Sequence, residues 1–163
     1  LYSCKPLRAK AKPFIDGTMN ILYIITPLAL SIWSVYLRTR NYMIFSDIYH
    51  TILIAWLSWL LRCMAMHCYS AIPDIEPDKQ AWLRTTAVFL GKQNALIYCW
   101  LLYSAAAIVS YPILWRASIV WGVIYLTMIM ISYIRKEIFW LYKVFPYINF
   151  AVWFGLFWVI VLK

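Results

Sequence analysis

The sequence predicts an all-α bundle of helices that cross a membrane. Hydrophobic residues make up 65% of the 163 positions, and the chain contains 10 Trp and 13 Tyr. This composition is typical of a protein surrounded by lipid, with amphipathic aromatic side chains at the two membrane interfaces. Charged residues are only 13% of the chain and fall mainly between the apolar runs. We therefore expect residues 1–163 to form a single transmembrane domain.

Five apolar segments are each long enough to cross a bilayer, which takes about 20 residues per helix. They are Thr18–Leu37, Thr51–Ser70, Gln93–Tyr111, Ile113–Ile134 and Phe145–Leu162. A tight break is predicted at Tyr111-Pro112, because proline cannot continue a helix and restricts the residue before it. For the same reason Pro77 predicts that the second span ends or kinks near Ile72.

The basic residues predict the orientation of the chain. The connections at residues 1–17, 71–92 and 135–143 all lie on one side of the predicted bundle and contain 10 of the 15 Lys and Arg residues. Cytoplasmic loops of membrane proteins carry such an excess. We therefore interpret the net charge of +9 as a topology signal in a multi-pass protein of the cell membrane. We expect the lipid bilayer, and no nucleic acid, as a partner.

Few familiar chemistries fit the sequence. The four cysteines form no CxxC pair and show no His/Cys metal-ligand spacing, so we interpret those in the apolar runs as small core residues. No glycine-rich phosphate loop, HExxH motif or recognisable Ser/His/Asp grouping is present.

The most informative feature is a cluster of carboxylates at the end of an apolar segment. Three of the six acidic residues, Asp74, Glu76 and Asp78, occur in the run Ser70-Ala-Ile-Pro-Asp-Ile-Glu-Pro-Asp-Lys79. A spacing of four places Asp74 and Asp78 on one helical face. Carboxylates at a frayed helix end favour Mg²⁺, and Mg²⁺ indicates a phosphate-bearing substrate. The alternative is a solvated acidic loop that neutralises Lys79 and Arg84.

Basic residues accompany this cluster in the sequence. They are Lys79 and Arg84 in the same connection, and Arg8 and Lys10 in the first one. A diphosphate bridged to carboxylates by Mg²⁺ still needs cations on its outer oxygens, and the arginine fork matches them. The alternative is that these residues provide only the positive charge of a cytoplasmic face.

Three polar residues lie within the predicted spans. Arg62 should face a protein interior, a water-filled cavity or a partner charge, because a cation at that depth is costly. No acid is well placed by sequence to pair with it, so it could face a part of the protein outside this chain. His67 is either a hydrogen-bonded interior residue or a site residue. Asn20 either lines a cavity or bonds a neighbouring helix.

At these residues the chain resembles the UbiA superfamily of intramembrane prenyltransferases. The second aspartate-rich motif of that family looks like Asp74-x-x-x-Asp78, and residues 78–91 look like the stretch that follows it. Residues 1–13 resemble the connection between the fourth and fifth helices of the family. The run Ile72-Pro-Asp-Ile-Glu-Pro-Asp78 is most similar to the branch that adds prenyl units to lycopene on the way to C50 carotenoids.

The resemblance implies a function and a set of roles. Mg²⁺ would bridge two carboxylate motifs to an allylic prenyl diphosphate, and the carbocation left when diphosphate departs would alkylate a lipophilic acceptor. That acceptor could be lycopene, a quinone precursor or a tetrapyrrole. Asp74 and Asp78 would be the catalytic metal ligands, with Glu76 a weaker candidate. The remaining roles are diphosphate binding by Lys79, Arg84, Arg8 and Lys10, and lining of the pocket by Tyr2, Asn20 and His67.

Two departures from the family pattern bear on these expectations. The family has about nine helices, and its first aspartate-rich motif has no counterpart here. We therefore expect this chain to correspond to helices five to nine, the C-terminal portion of a longer protein whose N-terminal half would complete the site. In addition, Trp82 stands where glycine is expected, which predicts a reshaped loop helix over the site.

Two other functions remain open. A small transporter or channel would use Arg62, Asp74 and His67 to line a path, and would need a polar stripe along several spans. A non-catalytic, truncated remnant would keep the helices without the reaction.

Overall fold

The protein is described by a computed structural model covering residues 11–18, 29–30, 32–34, 36–38, 42–135 and 138–161, with only the backbone of residues 42–48 and 159–161. Across these ranges the chain is helical apart from short turns and contains no strand. The predicted all-α membrane helix bundle is therefore confirmed.

From residue 42 onward the described chain forms five successive helices. They are α1 (Tyr42–Ala71), α2 (Ile75–Gln80), α3 (Thr86–Leu114), α4 (Arg116–Arg135) and α5 (Phe139–Val161). The second predicted span ends at Ala71, close to Ile72 as expected. Pro77 lies in the first turn of α2, where a backbone N–H has no partner inside the helix and its loss costs little.

Three segments within these helices are long and apolar enough to cross a membrane, namely Tyr49–Ala71, Thr86–Leu114 and Arg116–Arg135. They correspond to the second, third and fourth predicted spans, and the chain is an integral membrane protein. The fifth predicted span coincides with α5, a helix of 23 residues that is not among these three. Most of the first predicted span, Thr18–Leu37, lies outside the described residues.

The core forms where α3 packs against α1 on one side and α4 on the other. Tyr69 of α1, Tyr103 of α3 and Tyr125 of α4 are completely buried. The rings of Tyr103 and Tyr125 stack with their centroids 4.4 Å apart. Many outward-facing side chains are also large and apolar, such as Ile108, which is 74% exposed. Helices with apolar residues on all faces are typical of a bundle surrounded by lipid.

Helices α3 and α4 approach each other closely at a glycine. A Cβ atom at Gly122 would lie 2.9 Å from the Cβ of Ala107. At the same contact, Ser118 of α4 donates a hydrogen bond to the carbonyl oxygen of Ala107 and lies 2.8 Å from the hydroxyl of Ser110. Small residues and hydroxyl bonds of this kind hold helices together in lipid, where burial of apolar surface contributes little.

The break between α3 and α4 differs from the prediction at Tyr111-Pro112. Helix α3 continues through Pro112 to Leu114, and the chain turns at Trp115, whose φ is +45°. Pro112 lies in the last turn, so the loss of its N–H removes one helical hydrogen bond and leaves the rest of the helix intact. The turn is closed by the N–H of Trp115, which donates to the carbonyl oxygen of Tyr111 at 2.8 Å.

Helix α3 is kinked near its start. Gly91 has φ +73° and ψ 165°, a conformation essentially restricted to glycine. The predicted third span, which begins at Gln93, therefore matches the part of α3 that follows the kink. The short segment Thr86–Leu90 leads back towards the acidic connection between α1 and α3.

Candidate functional site

The acidic connection links the end of α1 to the start of α3 and contains the short helix α2. Asp74 is the N-cap residue of α2, and its exposed carboxylate makes no capping hydrogen bond. Asp78 follows one turn later and is half-buried; its backbone N–H donates to the carbonyl oxygen of Asp74 at 2.8 Å. The predicted pair therefore lies on consecutive turns of one short helix, beside the end of a membrane span.

Asp78 is connected to the start of α3. The hydroxyl of Thr85 lies 3.4 Å from the carboxylate of Asp78, to which it donates. The same hydroxyl caps α3 by accepting from the N–H of Val88 at 3.3 Å. The side chain of Asp78 is therefore oriented by a residue that also fixes the first turn of a membrane helix.

The other charged residues of the connection are exposed. The ammonium group of Lys79 donates to the carboxylate of Glu76 at 2.8 Å, in a pair where both side chains are mostly in solvent. Such surface pairs are weak, so Lys79 can exchange Glu76 for another anion at low cost. Arg84 is also exposed. Of the other predicted site residues, Arg8, Lys10, Tyr2 and Asn20 lie outside the described part of the chain.

A buried carboxylate that the sequence analysis did not single out lies next to this connection. Asp16 is completely buried and accepts hydrogen bonds from the backbone N–H of Thr86 at 2.8 Å and from its hydroxyl at 2.5 Å. The imidazole Nε2 of His67 lies 3.7 Å from the same carboxylate, an ion pair when the imidazole is protonated. His67, predicted to line the pocket, is thus part of a polar cluster with Asp16 and Thr86.

The segment that contains Asp16 also contacts α3 through Phe14. Phe14 has φ +66°, an uncommon conformation for a side chain of that size. Its N–H donates to the hydroxyl of Thr86 at 2.7 Å, and its ring packs edge-on against Phe89 and Tyr98, with centroid distances of 5.9 and 5.8 Å. These contacts offset the backbone strain and hold residues 11–18 against the start of α3.

The environment of Asp16 favours its ionised form. Burial raises the pKa of this carboxyl, but hydrogen bonds from His67 and Thr86 outweigh it and leave the pKa below its ordinary value of 3.8. Because Thr85 bonds Asp78 and the adjacent Thr86 bonds Asp16, the start of α3 joins the two carboxylates. Segment 11–18 and the acidic connection therefore lie at the same end of the bundle.

Helix α2 ends in a Schellman motif with Trp82 at the position that glycine normally occupies. The N–H of Leu83 donates to the carbonyl oxygen of Asp78 at 2.9 Å, and that of Trp82 to Lys79 at 3.1 Å. Trp82 adopts φ +54° and its side chain is 91% exposed. The departure from the expected glycine thus puts a strained residue directly after the predicted ligand helix.

Arg62 lies in the protein interior, one of the three environments expected for it. It is 7% exposed, and it donates to the hydroxyl of Tyr125 at 2.8 Å. Its guanidinium carbon lies 4.4 Å from the ring centroid of Trp121 and 4.6 Å from that of Trp153. Aromatic faces therefore contact the cation, and within the described residues no carboxylate forms an ion pair with it.

Two of the described carboxylates are the predicted magnesium ligands. Asp74 and Asp78 lie one helical turn apart and carry the hard oxygen atoms that such a metal prefers, and the carboxylate of Asp74 is not used in capping. Within the described ranges, no group of three or more His, Cys, Asp and Glu side chains is placed to enclose a metal. Two protein carboxylates are nevertheless sufficient for Mg²⁺ when substrate phosphates and water complete its shell.

The chain is similar to three curated proteins, each named lycopene elongase/hydratase. It is 38% identical to the protein of Haloarcula japonica over 108 residues, which cover 66% of this chain and 33% of that protein. It is 40% identical over 107 residues to the Halobacterium salinarum protein (64% and 34%) and 37% identical over 108 residues to the Haloferax volcanii protein (64% and 32%). The matched part thus spans about a third of each relative. No family model matches the chain, and no solved structure matches it.

Proposed function

We propose that this chain forms part of a Mg²⁺-dependent prenyltransferase of the UbiA type, embedded in the cell membrane. It would transfer an allylic prenyl group from a diphosphate donor to a hydrophobic acceptor. A carotenoid such as lycopene is the preferred acceptor, because lycopene appears in the names of the relatives. A quinone or tetrapyrrole precursor is the other hydrophobic acceptor that would suit an apolar cavity. The observation that carries the proposal is the pair Asp74 and Asp78 on one short helix at the end of a membrane span.

Each part of the connection has a role in this reaction. Asp74 and Asp78 would hold the metal, which when bound neutralises charge on the diphosphate as it leaves. Thr85 orients the carboxylate of Asp78. Arg84, and Lys79 after exchange of Glu76, would bind the outer oxygens of the diphosphate. The Asp16 cluster is a positioning element, because it holds residues 11–18 next to the acidic connection, and Arg8 and Lys10 precede these residues in the sequence.

The hydrophobic acceptor would lie against the seam between α3 and α4. One groove there, of about 190 Å³, is lined by Leu96, Ile97, Trp100, Ile129, Met130 and Tyr133. A second, of about 410 Å³, lies further along the seam and includes Gly122 and Leu126. Walls of this kind suit a hydrocarbon that has no group to hydrogen-bond.

The excess of basic residues in the connections at 71–92 and 135–143 supports a cytoplasmic position for the acidic connection. A water-soluble diphosphate could then reach the site from the cytoplasm. The alternative of a transporter or channel is less favoured, because Arg62 is packed among Trp121, Trp153 and Tyr125 and does not lie along a polar stripe.

The decisive experiment compares carboxylate variants of the whole protein in membranes. With a prenyl diphosphate, lycopene and Mg²⁺, the wild type should extend the acceptor by isoprenoid units, and chelation should stop the reaction. Asp78→Asn and Asp74→Asn should each lower turnover about 10²-fold or more. Glu76→Gln is the matched control, because Glu76 lies on the same helix and, among the residues that the structure describes, forms an ion pair with exposed Lys79 alone.

Full turnover by Asp78→Asn would contradict the metal assignment. A wild-type protein that binds no prenyl diphosphate and gives no product would favour the remnant. The DNA upstream of the coding region offers an independent check, because an in-frame segment rich in Asn/Asp-x-x-x-Asp would supply the first motif.

A further inference from the structure

A partly open cavity of about 190 Å³ lies between α1, α3, α4 and α5. Arg62 and Trp59 of α1, Trp121 of α4 and Trp153 of α5 contribute to its wall. Arg62 is nine residues from Ala71, the end of α1, or about 14 Å along the helix axis. The cavity is therefore well separated from Asp74 and Asp78, and the proposed reaction gives it no role.

The wall of this cavity contains hydrogen-bond donors that lack acceptors. The indole N–H group of Trp121 is buried and has no hydrogen-bond partner within the described residues. Trp121 is only 4% exposed. Arg62 has five N–H donors, and its one hydrogen bond among these residues goes to Tyr125. The hydroxyl of Ser58 already donates to the carbonyl oxygen of Ala106 at 3.0 Å.

Arg62 also brings a permanent charge to this cavity. An arginine side chain does not deprotonate in proteins, so the cavity wall carries a full positive charge at membrane depth. The structure does not describe the side chains of two of the six acidic residues, Asp47 and Glu137. Asp47 precedes Arg62 by 15 residues on the same helix, about 22 Å along its axis. Glu137 comes after the end of α4 at Arg135, which is itself about 15 Å beyond Tyr125.

We propose that this cavity binds a small monovalent anion of the halide class as the counter-ion of Arg62. An anion accepts hydrogen bonds and donates none, which matches the guanidinium and indole N–H groups. It also supplies the single negative charge that a water molecule or an alcohol would not. The aromatic and aliphatic walls favour a large, weakly hydrated anion over phosphate, whose hydration shell they cannot replace.

The test uses the full chain in lipid nanodiscs, first in potassium gluconate and then titrated with potassium bromide or iodide at constant ionic strength. Both halides quench tryptophan fluorescence, and Trp59, Trp121 and Trp153 surround the cavity. A saturable quenching component, accompanied by a rise in the unfolding temperature over the same concentration range, is expected. Quenching that stays linear, with no rise in unfolding temperature, would overturn the proposal; this result is expected if a carboxylate from elsewhere in the protein neutralises Arg62.

Variants test whether the saturable quenching comes from an anion bound in the cavity beside Arg62. Arg62→Met should abolish the saturable component. Arg116→Met is the matched control, because Arg116 also stacks on a tryptophan, 4.7 Å from the ring of Trp115, but is exposed; it should behave as wild type. Trp121→Phe keeps an aromatic ring at this position and removes the indole N–H, so the halide affinity should fall about fivefold. If Arg62→Met does not fold, an unchanged affinity in Trp121→Phe would overturn the proposal by itself.

Discussion

Thr86 donates two hydrogen bonds to the carboxylate of Asp16, although the two residues are 70 positions apart in the sequence. Thr86 also accepts a hydrogen bond from the backbone N–H of Phe14. One threonine at the start of a membrane helix therefore anchors a segment from a distant part of the chain. This link places residues 11–18 beside the acidic connection.

Replacement of the buried carboxylate of Asp16 tests how much its link to Thr86 contributes to the stability of the protein. Asp16→Asn keeps the shape of the side chain and removes the charge, so the bonds from Thr86 weaken and His67 no longer faces a carboxylate. We expect the free energy of unfolding to fall by about 1–3 kcal/mol. Chemical or thermal unfolding in detergent micelles measures it. Glu76→Gln, which breaks only an exposed pair, should change stability by less than about 0.5 kcal/mol, and an equal loss in both variants would refute a special role for Asp16.

Because its pKa is lowered, Asp16 should stabilise the folded protein to an extent that depends on pH in a defined way. The carboxyl binds a proton less readily in the folded state than in the unfolded chain, whose pKa is near the ordinary 3.8. The stabilisation is therefore complete above that value and is lost as the pH falls below it through the folded-state pKa. Unfolding midpoints of wild type and Asp16→Asn should differ at pH 7 and converge below about pH 4. A difference that persists unchanged to pH 3 would mean that Asp16 is not ionised in the folded protein.

The left-handed residue after α2 offers a stabilising substitution. Trp82→Gly relieves the strained φ of +54° and removes a side chain that is 91% exposed, so little packing is lost. The gain is partly offset by the greater freedom of glycine in the unfolded chain, which leaves about 0.5–1 kcal/mol of added stability. Thermal unfolding measures the gain. Trp82→Ala keeps the unfavourable backbone conformation and should bring no comparable benefit, so a similar gain in both variants would argue against backbone strain.

The kink in α3 depends on Gly91. Its combination of φ +73° and ψ 165° excludes other residues for backbone reasons, although there is open space for a Cβ atom. Gly91→Ala should therefore destabilise the protein by about 1–3 kcal/mol. Gly155 provides the comparison, since it also has open space for a Cβ atom and lies in helix α5. Gly155→Ala should be neutral or stabilising by up to about 1 kcal/mol, and equal effects at the two glycines would exclude the backbone explanation.

The local sequence pattern predicted those features of the fold that depend on residues close together in the chain. The apolar runs located α1, α3 and α4, and the proline-rich segment placed the end of α1 within one residue of Ala71. The cost of a charge at membrane depth was enough to expect Arg62 in an interior environment. These inferences depend on composition and on backbone rules that act within a few residues.

Features that depend on distant contacts were not predicted. Asp16 stands directly before Gly17 at the edge of an apolar run, and nothing in these neighbours indicates that its side chain is buried. Its partners, His67 and Thr86, become neighbours only when the helices pack. The break between α3 and α4 was predicted at Tyr111-Pro112 and not at Trp115. The tendency of proline to end a helix does not specify how near to the end of a helix a proline is tolerated.

The link between Asp16 and Thr86 has a consequence for how the protein is made. A growing chain contains Asp16 long before Thr86 exists, and at 5–20 residues per second the delay is about 4–14 s. Throughout that interval Asp16 lacks the two hydrogen bonds that Thr86 donates to it in the folded protein. Assembly of this end of the bundle therefore waits for a later helix to emerge from the ribosome and enter the lipid.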